Sequence, residues 1–477
     1  MASWFEAPAS CIRLLDAGAG IGSLSAAFVS EICARDQRPR ELHIVAYEVD
    51  AELLPALRRT MEACKAECED AGVSLRFDIV NADFVEAGVA ALTTGLFSSP
   101  SPLHQGFNCA FLNPPYQKVG GHSPARRALS GVGIETGNLY SAFVWLAMQL
   151  LEPGGELVAI TPRSFCNGPY FKPFRLALRE TMKLRRFHVF ESRREAFKDG
   201  DVLQENIIFH ACKSSAPNGG PILISNGPHP DDGTVHQQLV PAKEVLRPGD
   251  SNAFIYLSGQ DTKSDGQTKA TYSLKELGLS VSTGRVVDFR AKESLRAFPD
   301  EPDALVFAPL IYPLHFQGRR VEWPRKEARK PNALARCAQT ESLLCEPGIY
   351  VLVKRLSSKE QSKRIVAVVF NSQDLGPAWQ EARVGFENHL NYFHLRGAGL
   401  KRALAEGLAG FLNSTFADTC FRAFNGHTQV NATDLRSLPY PSIAQLEALG
   451  TAILECDSCD SVPQQQLDSL VVSLLDL

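Results

Sequence analysis

The tetrapeptide Asn113-Pro114-Pro115-Tyr116 directly follows an apolar run, Cys109–Leu112, that predicts a buried strand. The side-chain oxygen of Asn113 and the main-chain oxygen of Pro114 can both accept hydrogen bonds from one planar NH2 group. Two acceptors return electron density to the nitrogen lone pair and so prepare the amine to attack an electrophile. Both prolines lack N–H donors and stiffen the turn, while Tyr116 offers a flat face to a base or amide. Taken alone, the tetrapeptide also fits an ordinary proline-rich turn, so the motifs around it must decide between a turn and an amine-binding site.

Glycine and acidic residues follow the three preceding strand-like segments at the points where those segments end. Asp16, Gly18 and Gly20 belong to a glycine-rich turn that opens a helix, where the backbone can approach a ligand closely. Glu48 can accept hydrogen bonds from both hydroxyls of a ribose, and Asp83 can accept one from an adenine amino group. Each acid alone is explained equally well as a helix cap or turn residue. As an ordered set, they predict a nucleoside-cofactor pocket beside an amine-binding pocket.

Strand-like and helix-like segments alternate through the first two hundred residues. The predicted strands are Arg13–Asp16, His43–Glu48, Leu75–Val80, Cys109–Leu112, Glu156–Thr161, Phe187–Phe190 and Asn206–His210. The predicted helices are Leu24–Cys33, Ala51–Ala71, Leu139–Leu151 and Tyr170–Met182. This alternation favours a doubly wound, Rossmann-like α/β sheet that binds ligands beyond the carboxyl ends of its strands.

These motifs, together with Gly137–Tyr140 and Thr161–Phe165, resemble in order those of S-adenosylmethionine-dependent amino-methyltransferases. The chain resembles in particular the γ-class N6-adenine DNA methyltransferases of restriction–modification systems. That resemblance implies S-adenosylmethionine as cofactor, no metal, and a seven-stranded sheet whose last strand is antiparallel. The residues that it implies are Asn113, Pro114 and Tyr116 for catalysis, Asp16, Gly18, Gly20, Glu48, Asp83 and Asn113 for the cofactor, and Pro115 and Phe197 for the flipped-out base.

The catalytic domain is expected to comprise residues 1–212 and to depart from the family at its start. In the family, a further motif normally precedes the glycine turn, but only twelve residues precede Arg13 here. Met1–Phe5 resembles the end of that motif's helix. The expectation is therefore a truncated N-terminal motif, with the chain beginning at an internal Met.

Residues 213–270 are expected to be a linker or loop-rich start of the recognition region, and 271–477 an α+β target-recognition domain with a helical C-terminal segment. Two stretches, Glu387–His394 and Arg422–Leu435, are rich in groups that suit base edges and phosphates. Both resemble the target-recognition region of PstI/BsuBI-like adenine methylases of TaqI-like architecture. The candidate DNA contacts are Asn425, His427, Gln429 and Asn431. Two alternatives stay open: helix capping by Asn431 or Thr433, and metal binding by His389 and His394.

Composition narrows the class of protein. The 477 residues carry a net charge of −4, unlike a nonspecific nucleic-acid binder, yet residues 163–198 contain ten Lys or Arg against three acids. The sequence contains neither a run of membrane-spanning length nor a secretory signal, and its 12 scattered cysteines fit a reducing compartment. We expect a protein of the prokaryotic cytoplasm, associated with the nucleoid.

The predicted reaction is methyl transfer to N6 of an adenine flipped out of duplex DNA, by the modification enzyme of a type II restriction–modification system. A monomer on DNA, acting alongside a cognate restriction endonuclease, is expected. Cytosine C5 methylation is disfavoured because none of the cysteines follows a proline, and N4 methylation because Ser is more usual where Asn113 stands. Protein glutamine methylation, an alternative that uses the same tetrapeptide chemistry, is disfavoured by the long region beyond Lys213. RNA adenine methylation and a non-catalytic DNA-binding subunit stay open.

Overall fold

The computed structural model describes residues 1–6, 10–93, 101–121, 123–190, 206–214, 219–228, 235–250, 252–257, 270–298, 303–327, 329–357, 361–425, 429–456 and 462–475. The chain divides into two compact units, Met1–Gln260 and Asp261–Leu477.

The described part of the first unit forms one sheet of nine strands. These are β1 (Cys11–Ala17), β2 (Glu41–Tyr47), β3 (Ser74–Val80), β4 (Phe107–Leu112), β5 (Leu151–Pro162), β6 (Met182–Phe190), β7 (Asn206–Lys213), β8 (Ile222–Gly227) and β9 (His236–Val240). Their order in the sheet is β3-β2-β1-β4-β5-β7-β6-β8-β9. The first five positions are joined by parallel pairings, whereas β7 runs antiparallel to both β5 and β6.

All seven predicted strands are present, and the seventh is antiparallel as expected, but the expected total of seven is wrong. Strands β8 and β9 extend the sheet, although the sequence analysis assigned residues 213–270 to a linker. Ile222 and Ile224 are buried in one hydrophobic core with Phe187 of β6 and Phe209 of β7, which explains why β8 forms. Its apolar run of three residues, followed by Ser225-Asn226-Gly227, is too short to predict a strand from the sequence.

Helices cover both faces of this sheet. They are α1 (Ser23–Ala34), α2 (Leu54–Asp70), α3 (Phe84–Thr93), α4 (Pro124–Gly131), α5 (Leu139–Leu150), α6 (Lys172–Thr181) and α7 (Ala242–Val245). One core contains side chains of α1 and α2, and the other contains side chains of α3, α5 and α6. The doubly wound arrangement predicted from the sequence is therefore confirmed.

The first residues of the chain brace the strand that leads into the Asn-Pro-Pro-Tyr turn. Phe5 is 1% exposed, and its ring packs edge-on against Phe28 at 5.1 Å and Phe111 at 5.4 Å between centroids. The Arg186 guanidinium lies 4.1 Å from the ring centre of Trp4. Since Phe111 belongs to β4, these contacts fix the strand just before Asn113.

The second unit is α+β, as predicted. Its strands are β10 (Ser280–Thr283), β11 (Leu295–Arg296), β12 (Phe307–Ile311), β13 (Phe316–Gln317), β14 (Arg320–Val321), β15 (Ala333–Ala335), β16 (Leu344–Cys345), β17 (Ile349–Lys354), β18 (Ala367–Asn371), β19 (Val384–Phe386) and β20 (Leu390–His394). They form a six-stranded sheet, β10-β20-β17-β18-β14-β13, and a five-stranded sheet, β11-β15-β12-β19-β16.

The helices of the second unit lie mainly after these strands. They are α8 (Ala338–Glu341), α9 (Arg402–Leu412), α10 (Thr415–Phe424), α11 (Ala432–Arg436), α12 (Ile443–Leu454) and α13 (Gln464–Leu475). Helices α9 and α12 cross closely at Gly407. A Cβ added there would lie 1.7 Å from the main-chain oxygen of Leu446, so only glycine fits at this crossing. Across the described ranges of both units, helices of the length and apolarity needed to cross a membrane are absent.

Replacing Phe5 tests the brace beneath β4. We expect Phe5→Ala to lower the free energy of unfolding of the first unit by about 3–5 kcal/mol, because a buried ring is replaced by a cavity. Denaturant unfolding followed by tryptophan fluorescence measures the change. Tyr170→Ala removes an aromatic ring that is 82% exposed and serves as the matched control. Equal stability of the two variants would contradict the role given to Phe5.

Candidate cofactor and amine site

The glycine turn ties the end of β1 to the end of β2. The main-chain N–H groups of Gly18 and Ala19 both donate to the Tyr47 carbonyl at 2.9 Å. Gly18 and Gly20 have φ angles of 75° and 57°, in the left-handed region that favours glycine. The loop therefore exposes main chain beside the carboxyl ends of two parallel strands.

Asp16 lies beneath this turn and is fully buried. Its Oδ2 accepts a hydrogen bond from the Ser25 hydroxyl at 2.6 Å, and its Oδ1 has no hydrogen-bond partner among the described residues. Burial raises the pKa of the Asp16 carboxyl to about 6; the bond from Ser25 lowers the pKa, and the charge of Glu48 raises it further. Asp16 thus joins the end of β1 to the start of α1.

Glu48 connects the same turn to the loop after β2. Its Oε2 accepts the Gly20 N–H at 2.7 Å, and its Oε1 accepts the Asp50 N–H at 2.8 Å. The Asn81 side chain donates to the main-chain oxygen of Glu48 at 2.8 Å, which fixes the backbone at this point. A carboxylate oxygen has two lone pairs, so each oxygen of Glu48 can accept a further hydrogen bond.

Asp83 stands at the start of α3 and caps it. Its Oδ1 accepts the N–H groups of Val85 at 2.7 Å and Glu86 at 3.1 Å. The capping alternative considered for this acid is therefore confirmed, and its Oδ2 accepts no hydrogen bond from the described residues. A cap of this kind leaves one carboxylate oxygen to face a ligand.

Asn113 and its prolines follow β4, as the sequence predicts. Pro114 is buried and Asn113 is exposed. The Tyr116 ring meets Tyr140 of α5 edge-on, at 6.2 Å between centroids, and the Tyr140 hydroxyl lies 3.1 Å from the Ser164 hydroxyl. Burial raises the pKa of Tyr116 well above its usual range, so its phenol is neutral at physiological pH. The aromatic contact holds the turn in one conformation.

One cavity of about 400 Å3 joins these strand ends. It is lined by Gly18, Tyr47, Glu48, Val49, Ala82, Asp83, Phe84, Asn113, Pro115, Gln117, Leu139 and Phe143. The predicted residues Gly18, Glu48, Asp83, Asn113 and Pro115 therefore meet in a single space. Asp16, Gly20, Pro114 and Tyr116 are not among the lining residues, and Phe197 lies outside the described residues.

The sequence analysis missed the aromatic wall of this cavity. Phe84 packs against Tyr47 at 5.6 Å and Phe143 at 5.1 Å between ring centroids. Phe84 follows Asp83 directly, and Tyr47 precedes Glu48 directly, so adjacency to a predicted acid at a strand end was the usable signal. These rings give the acids an apolar neighbour against which a planar group can pack.

Two buried amides also escaped the sequence analysis. Asn167 and Asn206 are almost fully buried, and neither amide has a hydrogen-bond partner in the described ranges. Asn206 pairs in register with Pro162, the last residue of β5, which neighbours β4 in the sheet. A buried amide without a partner costs about 1–3 kcal/mol per group, so Asn206 at the start of β7 and Asn167 in the segment after β5 are unusual buried polar groups.

The candidate DNA contacts in the second unit divide into three groups. Asn425 is fully buried; its Oδ1 accepts from Arg364 at 2.8 Å, and its Nδ2 donates to Asp434 at 3.1 Å. Both atoms of its amide are therefore engaged within the chain, and its predicted contact with a base stays a prediction. Gln429 has an exposed side chain. His427 lies outside the described residues.

Asn431 begins α11, as the capping alternative predicted. Its main-chain N–H donates to Asp434 Oδ2 at 3.0 Å, and its side-chain amide donates to the same oxygen at 3.2 Å. Burial raises the pKa of Asp434 to about 7, and the bonds from Asn431 and Asn425 lower it. Asn431 is thus part of a local helix cap, and its predicted contact with DNA stays a prediction.

The metal alternative finds no support in the described part of the chain. Groups of three or more His, Cys, Asp or Glu side chains able to hold an ion are absent there. His389 is paired with Glu387 at 2.6 Å, and His394 lies 2.9 Å from the Ser282 hydroxyl. Both imidazoles therefore have hydrogen-bond partners within the second unit.

The family model and two similar proteins that match this chain are all described as methylases or methyltransferases. Residues 76–197 match the model of the family described as Eco57I restriction-modification methylase. The chain is 41% identical over 469 residues to the type II methyltransferase M.BsuBI of Bacillus subtilis, spanning 97% of this chain and 89% of that protein. It is 40% identical over 481 residues to the type II methyltransferase M.PstI of Providencia stuartii, spanning 100% and 90%. The solved type IIG restriction endonuclease BpuSI is 12% identical, with 98% and 63% coverage and a TM-score of 0.42, too low to support an inference.

The raised pKa of Asp16 predicts how stability changes with pH. The pKa of the Asp16 carboxyl is 3.8 in the unfolded chain and about 6 in the folded protein. As pH rises between these two values, the unfolded chain loses this proton first, so the free energy of unfolding falls. We expect Asp16→Asn to remove this loss and raise the free energy of unfolding above pH 6 by about 1–3 kcal/mol. Urea unfolding at several pH values measures the difference, with Asp36→Asn as an exposed control. A constant difference between wild type and Asp16→Asn across this range would contradict the assignment.

Proposed function

We propose, from the premise that this chain belongs to the family of type II methyltransferases of restriction–modification systems, that it transfers a methyl group from S-adenosylmethionine to N6 of adenine in duplex DNA. The observation that carries the proposal is the single cavity in which Glu48, Asp83 and Asn113 meet. Acids suited to a nucleoside and an amide suited to an amine lie side by side there.

The residues of the cavity fit S-adenosylmethionine, which when bound supplies a methyl group on a positively charged sulfur. Glu48 would accept hydrogen bonds from the ribose hydroxyls through the lone pairs that Gly20 and Asp50 leave available. The second oxygen of Asp83 would accept one from the adenine amino group. Val49 and Phe84 line the same space and would pack against the adenine faces.

Asn113 and Pro114 would hold the amine that accepts the methyl group. An adenine inside a duplex is out of reach, so the base must rotate out of the stack at a cost of about a few kcal/mol. The Asn113 side-chain oxygen and the Pro114 main-chain oxygen would each accept one N6 hydrogen, and the neutral Tyr116 ring would stack on the base. These hydrogen bonds orient the nitrogen lone pair, so positioning supplies most of the rate enhancement.

The proton of N6 leaves after the new bond forms. The nitrogen carries an additional positive charge at that stage, and both oxygens that hold its hydrogens stabilise this charge. A strong general base is therefore not required, in keeping with a motif that contains an amide, two prolines and a phenol.

We extend the proposal to the setting of the enzyme. The first unit would carry the chemistry, and the second would read the target sequence in duplex DNA. The protein would act as a monomer in the prokaryotic cytoplasm, alongside a cognate restriction endonuclease.

Mapping of methylated bases tests the proposal directly. The protein is incubated with plasmid DNA, and in parallel with RNA or with a protein extract, in the presence of S-adenosylmethionine carrying a labelled methyl group, and modified bases are located by sequencing. Label at N6 of one adenine within a short fixed sequence is the expected result. Label only on RNA or on a protein glutamine would establish one of the alternatives, and DNA binding without label would indicate a non-catalytic subunit.

Asn113→Ala separates the amine site from the cofactor site. We expect methyl transfer to fall by at least about 10²–10³-fold, because one of two acceptors on the amine is removed. Calorimetric titration should give nearly unchanged affinity for the cofactor. Asn226→Ala, on the peripheral strand β8, is the control and should behave as wild type. Retention of activity by Asn113→Ala would remove this residue from its proposed role.

Glu48→Gln tests the cofactor site alone. The amide can keep one acceptor but lacks the charge, so we expect the cofactor dissociation constant to rise about 10- to 100-fold. Transfer at saturating cofactor should change much less. The exposed neighbour Glu52, changed to Gln, is the matched control. Unchanged cofactor affinity in Glu48→Gln would contradict the ribose assignment.

A further inference from the structure

The second unit displays an aromatic ring to solvent on a well-anchored turn, residues 284–291. The Phe289 side chain is 77% exposed, an unusual position for a large apolar group on an ordered turn. The Arg290 guanidinium lies 5.5 Å from the centre of that ring. An exposed aromatic beside a cation is a combination that suits a nucleic acid.

Main-chain hydrogen bonds hold the 284–291 turn against the end of β19. The Gly284 N–H donates to Leu390 at 2.8 Å, and the Val286 N–H donates to Phe386 at 3.1 Å. A Cβ added at Gly284 would lie 2.1 Å from the main-chain oxygen of Glu387, so the two segments are in direct contact. The turn is therefore preorganised, and the exposure of Phe289 is a property of the fold.

The one acid of this turn is neutralised within the chain. The Asp288 carboxylate accepts a hydrogen bond from the Tyr312 hydroxyl at 2.8 Å and pairs with Lys330 at 2.7 Å. These contacts turn the carboxylate toward its own unit and compensate its charge. Arg285 and Arg290 therefore dominate the charge that the turn presents.

A cavity of about 150 Å3 opens beside the turn. It is lined by Arg285, Val287, Arg290, Ala291, Ser294, Gln339, Thr340 and Leu343. No Asp or Glu is among these described lining residues, and nearby Glu341 is paired with Arg336 and Arg383, each at 2.8 Å. Arg285 Nη1 also donates to the Ser342 main-chain oxygen at 3.2 Å. Two guanidinium groups with hydroxyl and amide neighbours have the chemistry that suits a tetrahedral anion.

We propose that this surface is a docking site for duplex DNA, in which the cavity binds a backbone phosphate and Phe289 packs against an adjacent base. The assignment rests on the proposed function, which supplies DNA as the partner. Arginine forks match phosphate oxygens, and apolar rings serve as wedges against base steps in other DNA-binding proteins. A protein partner fits less well, because an interface centre usually buries few charges, whereas this cavity is cationic.

Salt-dependent binding separates the two contacts. Fluorescence anisotropy with a labelled duplex of mixed sequence is measured between about 50 and 200 mM salt, where each phosphate contact adds about 0.9 to the slope of log affinity against log salt. Arg290→Ala should weaken binding and lower that slope by about 0.9, whereas Arg290→Lys should keep the slope. Phe289→Ala should weaken binding about fivefold or more while keeping the slope.

Exposed residues elsewhere in the unit provide the controls. Arg402→Ala removes one exposed cation, and Leu305→Ala removes an apolar side chain that is 83% exposed; both should bind as wild type. A slope that Arg290→Ala leaves unchanged overturns the phosphate assignment, as does a wild type that binds RNA but no duplex DNA. Wild-type methyl transfer is assayed in parallel, so intact DNA binding without transfer contradicts the proposed function and leaves the docking site standing.

Discussion

The hydrogen bond from the Gly20 main chain to Glu48, at 2.7 Å, is the contact on which the site of the first unit depends. It closes the glycine turn onto the end of β2, and the second oxygen of the same carboxylate holds the Asp50 N–H. Glu48 is only 8% exposed, and a buried carboxylate is tolerated where hydrogen bonds compensate its desolvation. The same bonds fix both oxygens, so the acid has one orientation before any ligand arrives.

The topology of the sheet then determines what lies next to that acid. Strands β2 and β3 lie on one side of β1, and β4 lies on the other, so the strand order reverses direction at β1. Doubly wound sheets bind ligands at such a switch point. The ends of β1, β2 and β3 provide the glycine turn, Glu48 and Asp83, while the end of β4 provides Asn113. The groups proposed to bind the nucleoside and the amine consequently line one cavity without any long loop to position them.

The sequence predicted most of the fold of the first unit, because the strand and helix periodicity is strong there. Each predicted cofactor or amine residue also lies at or just after the end of a strand. The sequence was less informative where the signal was short or ambiguous. Strand β8 has too few apolar residues to stand out, and Asn425 belongs to a polar stretch whose composition suits DNA as well as a buried network. Composition does not distinguish an amide that faces a base from one that holds Arg364 and Asp434. Phe289 escaped notice because exposure of a single aromatic residue is decided by tertiary packing.

The central claim is that the cavity places an adenine amine beside Asn113 while Glu48 holds the cofactor ribose. A crystal structure of the protein with duplex DNA containing its methylation site and a cofactor analogue that cannot donate a methyl group tests this most directly. The account predicts N6 of one flipped-out adenine within hydrogen-bonding distance of the Asn113 side-chain oxygen, with the ribose hydroxyls on Glu48. An adenine that stays stacked in the duplex, or a flipped base whose amine contacts other residues, would contradict it.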